Sequence, residues 1–176
     1  MILEYLKKTF DHIVIYDSEF RQDIKKKGER PHVVCFVYKD IVTGKIHRAS
    51  GTDINKHPYP LDRTLFVAFN FIAEASSMLA LNMKLPKFAF DCFVENKKLY
   101  WNRVPNSPKA MGQLRTAARY KYKYNMSNTL KDFHRDEVID NLTYTDEQLK
   151  SIIKYCERDV LTLEHIFIEQ LKDIEK

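Results

Sequence analysis

The stretch IVIYDSEFR, residues 13–21, decides how this chain is read. Four residues typical of a buried strand, Ile13 to Tyr16, run straight into Asp17 and Glu19. Side chains two apart leave the same face of a strand, so both carboxylates point the same way. Two like charges side by side in a partly dry site are unfavourable unless something positive neutralises them. Lysine or arginine partners, protons or a divalent cation would each serve.

The strand belongs to a layered α/β pattern. His32–Tyr38 (HVVCFVY) reads as a central second strand, after a charged loop DIKKKGERP at 23–31. DIVTGK at 40–45 turns the chain, and Ile46–Ser50 returns it as a hairpin. Leu65–Asn70 is a fourth strand, Ala73–Asn82 a helix and Phe88–Asp91 a short fifth strand. Helices follow: one over Lys109–Tyr120, shorter ones over Ser127–Phe133 and Asp136–Leu142, and a long one opening at Thr145. Thr145 followed by Asp146, Glu147 and Gln148 is an N-cap with acids in the first turn. Leu149, Ile152, Cys156, Val160, Leu163, Phe167, Leu171 and Ile174 then recur every three or four residues as one core-facing stripe. Ahead of the first strand, Ile2, Leu3, Leu6 and Phe10 form a short amphipathic lead-in. A hairpin-bearing mixed sheet followed by helices indicates an α/β domain.

Bulk composition fits that picture. The chain has 176 residues, 44% hydrophobic and 30% charged, enough for one domain with a sizeable core. No apolar run approaches the ~18 residues of a membrane span, so no membrane association is expected. The net charge of +5 is compatible with a polyanionic partner. Cys35, Cys92 and Cys156 are odd in number and widely spaced in apolar contexts, which points to reduced, buried thiols and a cytoplasmic setting.

Further acids stand at matching places. Tyr155 and Asp159 in YCERD are four apart and share a helix face beside the core stripe. Glu74 lies in the first turn of the helix after the fourth strand, four residues beyond Asn70. Asp91 ends the fifth strand, where an acid also serves to cap the segment after it. In the order Asp17-x-Glu19, Asn70-x-x-x-Glu74 and Tyr155-x-x-x-Asp159, the chain resembles the DEDD 3′–5′ exonucleases, in the subgroup with a catalytic tyrosine. The position five before Asp159 is Lys154, which separates the chain from the histidine subgroup. Within the superfamily it is most similar to the proofreading exonuclease domain of family A DNA polymerases, phage and plasmid forms above all. The likeness covers most of residues 11–165 and is thinnest over 98–145. Members commonly carry Asp where this chain has Glu74.

The resemblance implies a ribonuclease H-like (DEDD exonuclease) fold, a mixed five-stranded sheet flanked by helices. It implies a single exonuclease domain over residues 1–176, free-standing or the N-terminal part of a longer polymerase. The expected activity is metal-dependent hydrolysis of phosphodiester bonds from the 3′ end of single-stranded or frayed DNA. A 3′–5′ exoribonuclease is the alternative enzyme reading, and a nucleic-acid-binding or docking module on the same fold is the reading from another class. The implied cofactors are two divalent cations, Mg²⁺ or Mn²⁺. Asp17, Glu19, Glu74 and Asp159 are the expected metal ligands, with Asp91 supporting or exchanging roles with Glu74. Tyr155 is expected to orient the attacking water. Expected partners are nucleic acid and a polymerase domain or subunit, in a cytoplasmic, nucleoid or viral replication setting.

The substrate contacts are read from the residues themselves. Phe20 and Arg21 directly follow the acidic pair, and Asn70 ends a strand beside it. KAMGQLRTAARYKYKYN at 109–125 interleaves Arg115, Arg119 and Lys121 with Tyr120 and Tyr122. Cations for phosphates and rings for stacking bases make a single-strand track, and the same pattern suits a solvated basic helix end with half-packed tyrosines. Trp101 fits the core better than a base-stacking role.

Overall fold

The computed structural model describes residues 1–21, 30–100, 111–122, 138 and 143–176. Helix α1 (Ile2–Thr9) leads into β1 (His12–Arg21), β2 (His32–Asp40) and β3 (Ile46–Ser50). Strand β4 (Thr64–Ala68) is followed by α2 (Phe71–Ala80), and β5 (Phe88–Asp91) by α3 (Cys92–Leu99). Helices α4 (Gln113–Arg119) and α5 (Asp146–Ile174) complete the described elements. The strands form one mixed sheet in the order β3-β2-β1-β4-β5. β1, β2 and β3 pair antiparallel, while β4 runs parallel to both β1 and β5.

Alternation along β1 divides the interior into two layers. Ile13 and Ile15 face a core completed by Val37, Leu65, Val67 and the stripe Ile152, Cys156, Val160, Leu163 and Phe167 of α5. Val14 and Tyr16 face the opposite core with Phe36, Tyr38, Phe66 and Met78 of α2. Burying each large apolar side chain contributes roughly 1.5–3 kcal/mol, so α5 is the principal clamp on its face. Thr145 and Gln148 start α5 with a reciprocal capping box: Gln148 N–H donates to Thr145 Oγ1 (3.2 Å), and Thr145 N–H donates to Gln148 Oε1 (2.9 Å). Ion pairs Lys39–Glu164 (2.6 Å) and Arg48–Glu157 (2.7 Å) hold the helix over β2 and β3. The lead-in residues Ile2, Leu3, Leu6 and Phe10 pack against the α5-side core.

The β2–β3 hairpin turns on a buried acid. Asp40 accepts from Val42 N–H (3.0 Å) and Thr43 Oγ1 (2.7 Å) and pairs with His12 Nδ1 (2.9 Å). Gly44 supplies the positive φ (75°) that closes the turn.

Several boundaries differ from the sequence expectation. β1 continues to Arg21, so Asp17 and Glu19 lie within the strand instead of leaving its end. Strand β4 ends at Ala68, and the chain enters α2 at Phe71, two residues before the expected helix. Helix α3 was not expected at all: Phe93 and Val94 read as strand-like, but Asp91 caps them into a helix. The helices expected over Ser127–Phe133 and Asp136–Leu142, the loop at 23–29, and Trp101 fall outside the described residues, apart from Val138, which is buried.

Candidate metal centre

The place where β1 loses a neighbour defines the site. β1 pairs with β4 only from His12 to Ile15, and with β2 as far as Arg21. Past Ile15 that edge of β1 has no strand partner among the described residues, because β4 has ended and the chain has turned into α2. Asp17 and Glu19 stand on this overhang. The carboxyl ends of parallel strands, at a switch in strand direction, are where open α/β sheets form their crevices.

A bulge shapes the floor. Glu19 pairs with Cys35 and Phe20 with Val33, leaving Val34 as an extra residue in β2. Val34 and Cys35 consequently both join the α5-side core, which sets the Cys35 thiol below Glu19. From above, α5 presents Tyr155, Cys156 and Asp159, all buried. The Cys156 thiol donates to Asp17 O (3.4 Å) and lies 3.8 Å from Asp17 Oδ2. Gln113 of α4 donates to the backbone carbonyl of Asp159 (2.7 Å) and ties that turn of α5 down.

Glu74 reaches the cluster from α2. Ser18 Oγ donates to Ser77 Oγ (3.1 Å), fixing α2 against the overhang. Glu74 is 5% exposed, and its Oε2 is buried with no hydrogen-bond partner. Burial and then the charge of Asp17 push its carboxyl well above the ordinary range, against an opposing hydrogen bond from Ser18. Glu19 is pushed up as well, first by burial and then by Asp17, Cys35, Asp159 and Glu74. Burial, followed by Cys35, Asp17 and Glu19, raises the Cys156 thiol. Four carboxylates from three elements therefore crowd one another, with Tyr155 on the same helix face as Asp159.

These groups suit a cation. One donor atom from each of Asp17, Glu19 and Cys156 lies within 4.8 Å of the others. Glu74 and Asp159, also expected as metal ligands, fall outside that group; Glu74 Oε2 has no hydrogen-bond partner among the described residues, and carboxylate oxygens are what hard divalent ions take. Cys156 is the member that sequence reading passed over, as a core thiol. Its signal was its place three residues before Asp159, on the same side of the helix.

Asp91 stands apart. Its Oδ1 accepts from Phe93 N–H (2.9 Å) and Val94 N–H (3.1 Å), and its Oδ2 from Phe71 N–H (3.0 Å). Both oxygens are engaged in capping α3 and anchoring the start of α2.

The residues expected to touch substrate divide. Asn70 is exposed, and its side chain makes no cap hydrogen bond at the start of α2. Phe20 is half-buried against the α2-side core, and Arg21 is half-buried beside it with no hydrogen-bond partner for Nε. Arg115 and Lys121 are exposed, Lys121 at positive φ (59°) where it closes α4. Arg119 is turned inward: it donates to Asn96 Oδ1 (2.8 Å) and Thr116 Oγ1 (3.1 Å) and lies over the Tyr100 ring (4.9 Å). Tyr120 donates to Asp173 (3.1 Å), and the Tyr122 ring lies tilted against His165, with centroids 4.9 Å apart. Part of the basic, aromatic segment thus serves packing against α3 and α5.

No described helix is long and apolar enough to cross a membrane. No protein-family model matches the chain, and no curated protein matches its sequence.

Proposed function

We propose that this chain is a metal-dependent 3′–5′ exonuclease of ribonuclease H-like fold that shortens single-stranded or frayed DNA from its 3′ end. The observation that carries the reading is the crowding of Asp17, Glu19, Glu74 and Asp159, with one buried Glu74 oxygen left unpaired. Asp91 has backbone donors for both of its oxygens, whereas Glu74 Oε2 has no hydrogen-bond partner among the described residues. The mixed sheet with its site at the carboxyl ends of β1 and β4 supports the fold assignment. The motif resemblance supports the reaction and the nucleic-acid partner, together with a polymerase domain or subunit working beside it.

Asp17 and Glu19 would hold one cation with Asp159, and Glu74 with Asp17 a second. Bound divalent ions would lower the pKa of a water and stabilise charge on the attacking and leaving oxygens. Asp17 is the natural shared ligand, since both Glu19 and Glu74 feel its charge. Tyr155 would orient the attacking water through its hydroxyl and, being buried, keep other water out. Phe20, Arg21 and Asn70 would grip the terminal nucleotide at the open edge of β1, Phe20 by stacking and Arg21 on phosphate.

The test is degradation of 5′-labelled single-stranded DNA and RNA with Mg²⁺ or Mn²⁺, with and without chelator. A metal-dependent ladder receding from the 3′ end, abolished in Asp17→Ala, is expected, with DNA the faster substrate. Faster RNA cleavage would move the substrate to the exoribonuclease class. Retained binding without cleavage by either metal would replace the enzyme with a docking module.

A further inference from the structure

The donor set under α5 is not made of oxygen alone. Cys156 Sγ sits 3.8 Å from Asp17 Oδ2, and donor atoms of Asp17, Glu19 and Cys156 fall within 4.8 Å of one another. A tetrahedral zinc ion, with a sulfur at ~2.3 Å and a carboxylate oxygen at ~2.0–2.2 Å, has a sulfur–oxygen edge of about 3.6 Å. The Cys156–Asp17 separation is close to that edge. A second observation points to unmet positive charge beside the site: Glu74, 5% exposed, hydrogen-bonds Asp17, and its Oε2 has no partner among the described residues. Hard cations engage the oxygens and ignore the sulfur, whereas thiolate selects softer ions. One pocket therefore offers different ligand sets to two classes of metal.

We propose that Asp17, Glu19 and Cys156 form a site for thiophilic divalent cations, of which Zn²⁺ and Cd²⁺ are the types, bound through the Cys156 thiolate in preference to Mg²⁺ and Mn²⁺. On binding, the Cys156 S–H bond breaks, its proton passes to solvent, and the sulfur lone pair forms the metal–sulfur bond; nothing is oxidised. Three protein ligands leave a fourth tetrahedral position for water. The two classes of ion compete for Asp17 and Glu19, so a thiophilic ion controls occupancy by the ions of the proposed hydrolysis. In that respect the inference rests on the exonuclease reading, but its test reads metal binding alone.

The full chain is titrated with Cd²⁺ while the ultraviolet thiolate-to-cadmium band is followed, and Mn²⁺ binding is measured by electron paramagnetic resonance. The band is expected in the wild type and in Cys92→Ser and is expected to vanish in Cys156→Ser. The ratio of Cd²⁺ to Mn²⁺ affinity should fall in Cys156→Ser on the order of 10–100-fold, the scale of a lost metal-site partner. A band that survives Cys156→Ser, or is lost only in Cys35→Ser, overturns the proposal, as does an unchanged ratio. Should Cys156→Ser fail to fold, X-ray absorption of the zinc-loaded wild type decides: a sulfur neighbour at ~2.3 Å supports the site, and a shell of oxygen and nitrogen alone overturns it. A chain that binds Cd²⁺ through sulfur but leaves oligonucleotides intact loses the exonuclease reading and keeps this one.

Discussion

β4 runs into α2 and β5 runs into α3, side by side in the sheet, and each junction carries one acid. Asp91 meets three backbone N–H groups, with both oxygens taken. Glu74 lies in the first turn of its helix, buried, with an oxygen that has no hydrogen-bond partner among the described residues. An acid whose hydrogen bonds are complete stabilises the fold; an acid buried without them costs stability until something else arrives. The difference separates the two acids better than their positions do, since both stand at the start of a helix that follows a strand.

Substitution breaks the comparison most visibly at Glu74. Glu74→Gln should lower metal-dependent cleavage by more than ~100-fold, because even partners outside the ligand shell are worth 10–100-fold. Its chelator-treated form should melt no lower than the wild type, since an amide replaces a buried carboxyl whose ionisation its surroundings disfavour. Steady-state cleavage and thermal melts in chelator check both halves. Equal loss of cleavage in Asp91→Asn and Glu74→Gln would exchange the two roles.

Asp91→Ala should have the opposite signature. Losing the α3 cap and orphaning Phe71 N–H should cost about 2–3 kcal/mol. The melting temperature should fall by roughly 4–12 °C for a chain of this size. Cleavage measured well below that temperature should fall far less than in Glu74→Gln.

The pH dependence sharpens the contrast. Glu19 and Glu74 have folded-state pKa values above those of the unfolded chain. Their contribution is complete below the unfolded carboxylate pKa of ~4.3 and is lost as pH rises through the raised values. Stability in chelator should therefore decline over that window, and Glu74→Gln should flatten the decline. Mn²⁺ bound at the proposed site would displace those protons, so its stabilising effect should grow with pH. Asp40 runs the other way. Burial raises it, but hydrogen bonds from His12, Thr43 and Val42 outweigh that and hold it low, so its contribution is lost as pH falls.

The smallest effects belong to the basic segment. Arg115→Ala or Lys121→Ala should weaken oligonucleotide binding several-fold and reduce the salt slope by about 1, if the exposed cations follow the backbone. Arg119→Ala should act on stability instead, through Asn96 and Tyr100.

The sequence made β2, β3, β5 and α5 legible because their patterns are long or sharply bounded: HVVCFVY is a continuous apolar run, and the α5 stripe holds for eight positions. Helix α3 was hidden because its first turn is aromatic and β-branched and its cap, Asp91, ends a strand. The overhang of β1 was hidden too, since where β4 stops relative to β1 is a matter of register between segments 52 residues apart. Asp17, Glu19, Glu74, Tyr155 and Asp159 were named from the resemblance of their order and spacing to the exonuclease motifs, since each piece alone is common by chance. That Arg119 turns inward, that Cys156 faces Asp17, and that Glu74 keeps an unpaired oxygen depends on tertiary packing, which no local pattern encodes.

The uneven pairing of β1 also sets a gradient in time. Val14 and Ile15 pair with β2 on one side and β4 on the other, so exchange of this stretch with solvent deuterium should require disruption of the sheet centre. Beyond Ile15 the strand is held on one side by β2 alone. Openings there are local, and the carboxylates of Asp17 and Glu19 ride on the faster-breathing half of a strand whose other half is the slowest clock in the molecule.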